Sequence, residues 1–117
     1  MARILICEPY EDVSALLELV VRRLGHDPVL FAGGDLDQTV VDAAVVEPGD
    51  DAGFRVARAL RAREVPVLFT SIYPPSEDAL ALHPVVYLVK PFPLDALEHA
   101  LAQALAPTQQ SSAAAVI

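Results

Sequence analysis

VVYLVKPF, residues 85–92, is the stretch that decides the fold, because an apolar run ends abruptly in a lysine and a Pro-Phe-Pro turn. Near-continuous apolarity over VVYLV (85–89) is typical of a strand that is covered on both faces. Lys90 follows this strand directly, where an ammonium is partly withdrawn from water and needs a compensating charge. We therefore expect Lys90 to meet an anion at the end of the strand.

Four further apolar runs resemble the first and predict four more strands. They are RILIC (3–7), DPVLFA (27–32), AAVVE (43–47) and VPVLFT (65–70). Helical periodicity is clear in residues 13–24, 51–63 and 93–105, and Gly25 stands where a C-terminal cap is expected. The intervening stretches 33–40 and 74–82 are short and rich in helix breakers, so their helices should be brief or irregular.

Alternating strands and helices predict an α/β fold with right-handed crossovers and one parallel sheet covered on both faces. Ligands of such sheets bind beyond the carboxyl ends of the strands, where the strand order switches. The predicted strand ends carry Glu8, Glu47, Thr70 with Ser71, and Lys90. The sequence thus predicts that carboxylates, hydroxyls and an ammonium meet at one edge of the sheet.

Composition and charge exclude several classes of function for the chain. Its 117 residues are 54% apolar and 21% charged, which predicts one globular domain, and we assign residues 1–106 to it and 107–117 to a tail or truncated linker. The net charge of -8 argues against nucleic-acid binding, and no apolar run is long enough to span a membrane. Cys7 is the only cysteine, and the three histidines lack metal-binding spacing. We expect a cytoplasmic protein without a metal site.

The span from Arg3 to about Ala106 resembles the receiver domain of bacterial two-component response regulators. The resemblance rests on YLVKPF, on RILICEPYEDVSALLELVVRRLGH, on DAAVVEPGD and on PVLFTS, which occur in the family's order and spacing. It implies a flavodoxin-like (βα)5 fold, doubly wound, with a five-stranded parallel sheet in the order 2-1-3-4-5. It also implies a role in signal transduction or a phosphorelay, without enzymatic activity and without catalytic residues.

The resemblance implies which residues of this chain correspond to the functional site of the family. In the family, two acids after the first strand and an aspartate after the third hold magnesium, and the aspartate is phosphorylated. The first acid corresponds to Glu8, the phosphoacceptor position to Glu47, the pocket lysine to Lys90, and the switch residues to Thr70 and Tyr87.

Two departures affect the chemistry itself. The second acid falls on Pro9, which has no side-chain oxygen, and the acceptor is a glutamate instead of an aspartate. Magnesium requires close octahedral oxygen ligation, so we expect Mg²⁺ binding to be lost or weak and no other cofactor to be bound. The chain is therefore interpreted as an atypical receiver, a pseudo-receiver that lacks the phosphoacceptor aspartate.

One hypothesis is that Glu47 pairs permanently with Lys90 and biases Thr70 and Tyr87 toward the activated arrangement; the alternative is that these residues are relics. In either case we expect a protein–protein interaction module with a protein partner, or a homodimer, on the face of the last helix. The residues expected there are Tyr87, Leu88, Phe92, Leu94, Asp95 and Glu98. Two alternatives stay open: phosphorylation in an unusual geometry on Asp50, Asp51 or Glu47, and a flavodoxin-like small-molecule binder.

Overall fold

A single parallel sheet organises the chain in the computed structural model, which describes residues 1–34, 36–106 and 115–116. Its strands are β1 (Arg3–Cys7), β2 (Asp27–Leu30), β3 (Ala43–Val46), β4 (Val67–Ser71), β5 (Val86–Val89) and β6 (Ala115–Val116). They lie in the order β2-β1-β3-β4-β5-β6, and every described pair is parallel. The predicted order 2-1-3-4-5 of the first five strands is confirmed.

The sixth strand was not predicted. It comes from the segment assigned to a tail, where the sequence has no periodicity, and it pairs with the outer edge of β5 in the register Val86↔Ala115 and Tyr87↔Val116. Most of the tail, residues 107–114 and 117, lies outside the described residues.

The helices follow the predicted pattern. They are α1 (Glu11–Arg23), α2 (Asp51–Ala62), α3 (Glu77–Leu80) and α4 (Leu94–Ala104), with one 3-10 turn at Leu36–Gln38 between β2 and β3. Gly25 has a φ of +84° just after α1, which is the left-handed conformation that a helix end favours in glycine. The two stretches expected to be brief are a single 3-10 turn and the four-residue α3.

Both faces of the sheet are covered, which explains the continuous apolarity of the strands. On one face, Ile6, Val45, Leu68 and Leu88 pack with the buried sides of α1 and α4. On the other face, a second cluster joins Leu5, Val46, Phe69 and Tyr87 to the buried side of α2 and to Ala79 of α3. None of the helices in the described part of the chain is long and apolar enough to cross a membrane.

Candidate functional site

The ends of four neighbouring strands form the candidate site. The register aligns Cys7 with Val46 and Val46 with Phe69, so the residues that follow, Glu8, Glu47 and Thr70, come side by side across β1, β3 and β4. Side chains two residues apart in a strand point to the same face. Glu8, Glu47, Thr70 and Lys90 each stand two positions after a core residue of the face covered by α1 and α4. The sequence expectation of one shared edge therefore matches the geometry.

Lys90 is bound between two carboxylates. Its Nζ lies 2.7 Å from Oε1 of Glu8 and 3.3 Å from Oε2 of Glu47. The side chains are withdrawn from solvent, with exposed fractions of 11% for Lys90, 0% for Glu8 and 6% for Glu47. We call these three residues the ion triad. The anion expected beside Lys90 thus consists of two acids from two different strands.

The second oxygen of each carboxylate is also occupied. Oε1 of Glu47 accepts a hydrogen bond of 2.8 Å from the backbone N–H of Gly49, and Oε2 of Glu8 accepts one of 3.3 Å from the N–H of Tyr10. Burying charges is costly unless they are paired and their remaining lone pairs are hydrogen-bonded. The ion triad meets both conditions from within the chain.

Two tyrosines that the sequence analysis did not single out flank the ion triad. Nζ of Lys90 lies 5.9 Å from the ring centroid of Tyr10, a cation–π distance. The ring of Tyr73 covers Gly49, since a Cβ placed on Gly49 would lie 3.4 Å from it. The position of Tyr10 next to Pro9 was the available sequence signal; for Tyr73, which depends on loop packing, there was none.

Tyr87 is turned into the protein. Only 2% of it is exposed, its hydroxyl donates to the carbonyls of Tyr73 at 2.9 Å and Pro74 at 3.3 Å, and its ring packs edge-to-face on Phe69 at 6.0 Å. Leu88 is fully buried. The expectation that Tyr87 and Leu88 belong to an exposed patch is therefore wrong, because β5 is covered on both faces.

Thr70 shares the edge but makes no hydrogen bond to the ion triad. It is fully buried, and within the described residues its Oγ1 has no partner. The neighbouring hydroxyl of Ser71 accepts a bond of 3.1 Å from the N–H of Tyr73. Of the two hydroxyls at the end of β4, only that of Ser71 has a structural role in the loop.

Cys7 lies just before the site, at the end of β1. Burial raises the pKa of its thiol to about 11, and the negative charges of Asp50 and Glu8 act in the same direction. Burial is the largest of these causes, so the thiol of Cys7 stays protonated at neutral pH.

The residues present do not fit the magnesium ion of receiver domains. Pro9 offers no side-chain oxygen, and both carboxylates of the ion triad are already bound to Lys90. Nowhere in the described ranges do three His, Cys, Asp or Glu side chains come together in a way that could hold a metal. Asp50 and Asp51 lie at the start of α2, as the N-cap residue and the first helical residue.

Comparisons with known proteins identify solved structures that share this fold. No family model matches the chain, and no curated protein matches it. Many solved structures do. The signal receiver domain of a modulated diguanylate cyclase from Desulfovibrio desulfuricans is 26% identical with a TM-score of 0.74, covering 90% of this chain and 94% of that one. The fold is that of a response-regulator receiver domain.

Two other structures agree. The receiver domain of a sensor histidine kinase from Pseudomonas aeruginosa, described with magnesium coordinated in its active-site cleft, is 24% identical with a TM-score of 0.75 and covers 89% of this chain and 97% of that one. A chemotaxis protein from Vibrio cholerae is 19% identical with a TM-score of 0.76 over 90% and 99% of the two chains. The sequence-based assignment of the fold is thereby confirmed.

Proposed function

We propose that this protein is a pseudo-receiver: a non-enzymatic signalling module that acts by binding a protein partner, independently of phosphorylation. The observation that carries the proposal is the ion triad. Lys90, the residue that would contact a phosphoryl group in the family, is bound at 2.7 Å and 3.3 Å by carboxylates of its own chain. The pocket already contains the negative charge that phosphorylation would supply.

Phosphotransfer to Glu47 is disfavoured by three features. The carboxylate is held on one oxygen by Lys90 and on the other by the N–H of Gly49, so attack on a phosphodonor would first break these contacts. Only 5% of Glu47 is exposed. Since Pro9 supplies no side-chain ligand for a metal, the charge that develops on the transferred group would lack its main compensation.

The same geometry favours a permanent lock over a decayed relic. Each charged group of the ion triad has a partner and Tyr87 is inside, as a permanent lock requires. The lock runs through Lys90 and not through Thr70, whose hydroxyl has no partner in the described part of the chain. We therefore propose that Lys90 stays paired with Glu8 and Glu47 in this one arrangement.

A protein-binding surface is proposed at the rim of this closed pocket. Tyr10, Ile72 and Tyr73 are 60%, 55% and 61% exposed on the loops that follow β1 and β4. Large apolar side chains so exposed near one edge are typical of interaction sites. On the face of the last helix, Leu94 is 36% exposed, less than each of these three side chains.

The proposal is tested by incubating the protein with acetyl phosphate and Mg²⁺ and measuring its intact mass. We expect no added phosphoryl group. The matched control is the double variant Pro9→Asp/Glu47→Asp, which restores the acid pair and the acceptor aspartate and should gain the phosphoryl mass. Phosphorylation of the unaltered chain would overturn the proposal in favour of an unusual acceptor such as Asp50, Asp51 or Glu47. A small molecule retained in native mass spectra would favour the binder alternative.

A further inference from the structure

A groove between α2 and α3 contains charged groups that neither the core nor the ion triad uses. It measures about 670 Å³ and is lined by residues of α2, by Pro48 and by the start of α3. Ligand sites in proteins usually enclose about 300–1,000 Å³. None of the three residues of the ion triad belongs to the lining. The groove is therefore large enough for a small ligand and is separate from the candidate site.

Two arginines of α2, Arg55 and Arg58, line this groove without a polar partner. Both are exposed, and within the described ranges neither guanidinium donates a hydrogen bond or forms an ion pair. The next two arginines differ, since Arg61 and Arg63 donate to backbone carbonyls. In a chain with 8 basic and 16 acidic residues, two unpaired guanidinium groups in one groove are a local concentration of positive charge.

The placement of these donors suits a ligand with more than one negative charge. Arg55 and Arg58 are three residues apart on α2, a spacing that puts their Cβ atoms about 5–6 Å apart. The guanidinium of Arg58 lies 5.5 Å from the ring centroid of Phe54, a cation–π contact that restrains it before a ligand binds. Guanidinium groups bind phosphates and carboxylates through two parallel hydrogen bonds. Each arginine can therefore bind one anionic group.

The hydroxyl of Ser76, which also lines the groove, supplies a further donor. Its Oγ accepts a hydrogen bond of 3.1 Å from the N–H of Ala79, which leaves the hydroxyl proton free to donate. The lining thus combines two guanidinium groups on α2 with a hydroxyl at the start of α3.

The rest of the lining limits which anion fits. Asp51 and Asp78 would repel a ligand that carries negative charge alone. Their carboxylates accept hydrogen bonds from hydroxyl and amino groups, as acidic residues do from ribose hydroxyls in dinucleotide sites. Phe54 and Pro48 are half-buried and supply apolar surface. A ligand that satisfies the whole lining has phosphates, hydroxyl or amino donors, and a planar part.

We propose that this groove is a binding site for a nucleoside diphosphate. Arg55 and Arg58 bind the two phosphates, Asp51 and Asp78 accept hydrogen bonds from the ribose hydroxyls or a base amino group, and the base packs near Phe54. The inference goes beyond the proposed function, because it assigns a second ligand to a different part of the chain. Binding involves no group transfer.

The test is isothermal titration calorimetry of the full chain with ADP, GDP, CDP and UDP in turn. We expect saturable binding of at least one of them. Adenosine and inorganic pyrophosphate each carry only part of the recognised chemistry, and we expect each to bind at least about tenfold more weakly than the nucleotide that binds best. Absence of binding by all four nucleotides would overturn the proposal. Pyrophosphate binding as tight as that of the best nucleotide would also overturn it, since the groove would then recognise the anion alone.

A pair of arginine variants shows whether binding occurs in this groove. Arg58→Met should weaken binding of the best nucleotide at least about tenfold, because a charged hydrogen-bond donor is lost. Arg23→Met, which removes an exposed arginine on α1, is the matched control and should leave binding unchanged. Equal weakening in both variants would indicate a general charge effect and contradict the site. Glu8, Glu47 and Lys90 are unaltered, so the phosphorylation test of the proposed function can succeed or fail independently.

Discussion

Nζ of Lys90 lies 2.7 Å from Oε1 of Glu8, closer than the 3.3 Å that separates it from Oε2 of Glu47. The hypothesis from the sequence paired Lys90 with Glu47 alone. Glu8 follows β1 and Glu47 follows β3. Lys90, which follows β5, therefore reaches past β4 and the acceptor position on β3 to the end of the first strand. The short distance and the full burial of its side chain make Glu8 the principal partner of the ammonium.

Replacing Lys90 tests how much the ion triad contributes to the stability of the fold. Lys90→Met keeps a side chain of similar length but leaves two buried carboxylates without a counter-ion. Removing one partner of a buried ion pair lowers the free energy of unfolding by about 3 kcal/mol. We expect a lower midpoint of urea unfolding at neutral pH. The matched control, Lys90→Met/Glu8→Gln, removes one of the two stranded charges and should recover part of the loss. Equal midpoints for Lys90→Met and the unaltered chain would mean that the ion triad does not contribute to stability.

Removal of the Thr70 hydroxyl is expected to have the opposite effect on stability. A buried polar group without a hydrogen-bond partner is unfavourable, so Thr70→Val should be neutral or stabilise the fold by up to about 1 kcal/mol. Ser71→Ala is the comparison, because the hydroxyl of Ser71 accepts the N–H of Tyr73 and its removal should cost about 1 kcal/mol. Chemical denaturation of both variants measures the difference. A clear destabilisation by Thr70→Val would reveal a partner for the hydroxyl in solution.

Most of the fold could be predicted because its signals are local. Apolar runs bounded by turn residues mark β1 to β5, and a single stripe with Leu17, Val20 and Val21 marks the buried side of α1. Strand β6 could not be predicted, since two residues carry no periodicity and depend on the template that β5 offers. Its existence is a tertiary effect.

The candidate site could be predicted only in part. Strand ends identify which residues share the edge, and a lysine after a buried strand indicates an anion. Which carboxylate lies closer to Lys90 depends on strand twist and side-chain rotamers that a sequence does not contain. The continuous apolarity of VVYLV predicts that β5 is covered on both faces. The inward position of Tyr87 follows from this burial.

Cys7 provides a prediction about pH. The pKa of its thiol is raised by burial, and by Asp50 and Glu8, from 9.0 to about 11 in the folded protein. Below about pH 9 the thiol is protonated in both states and its contribution to stability is complete; as pH rises toward 11 the unfolded state loses the proton first, so stability falls. Comparing urea midpoints at both ends of this range should show a smaller fall for Cys7→Ala than for the unaltered chain.

Alkylation rates provide an independent check of the same shift. The thiolate is the reactive form, and a shift from 9.0 to about 11 lowers its fraction at pH 8 by about 100-fold. Iodoacetamide should therefore modify the folded chain slowly and the urea-unfolded chain rapidly. Equal rates in the two states would contradict a buried thiol.

Gly53 tests how the start of α2 supports the pocket. A Cβ at this position would overlap the carbonyl oxygen of Glu47 and lie 3.4 Å from Cγ1 of Val46, so only glycine lets the first turn of α2 pack on the end of β3. Gly53→Ala should destabilise the fold by about 1–3 kcal/mol, the usual cost of overpacking.

The sign of this effect separates packing from helix propensity. In an open helical position, glycine to alanine would instead stabilise by about 1 kcal/mol. Ala59→Gly, at an exposed position of the same helix, is the matched control and should lose about that amount through propensity alone. Urea unfolding of both variants gives the comparison. Equal stability of Gly53→Ala and the unaltered chain would mean that α2 has room to move away from Glu47. The start of α2 would then not hold Glu47 in its place within the ion triad.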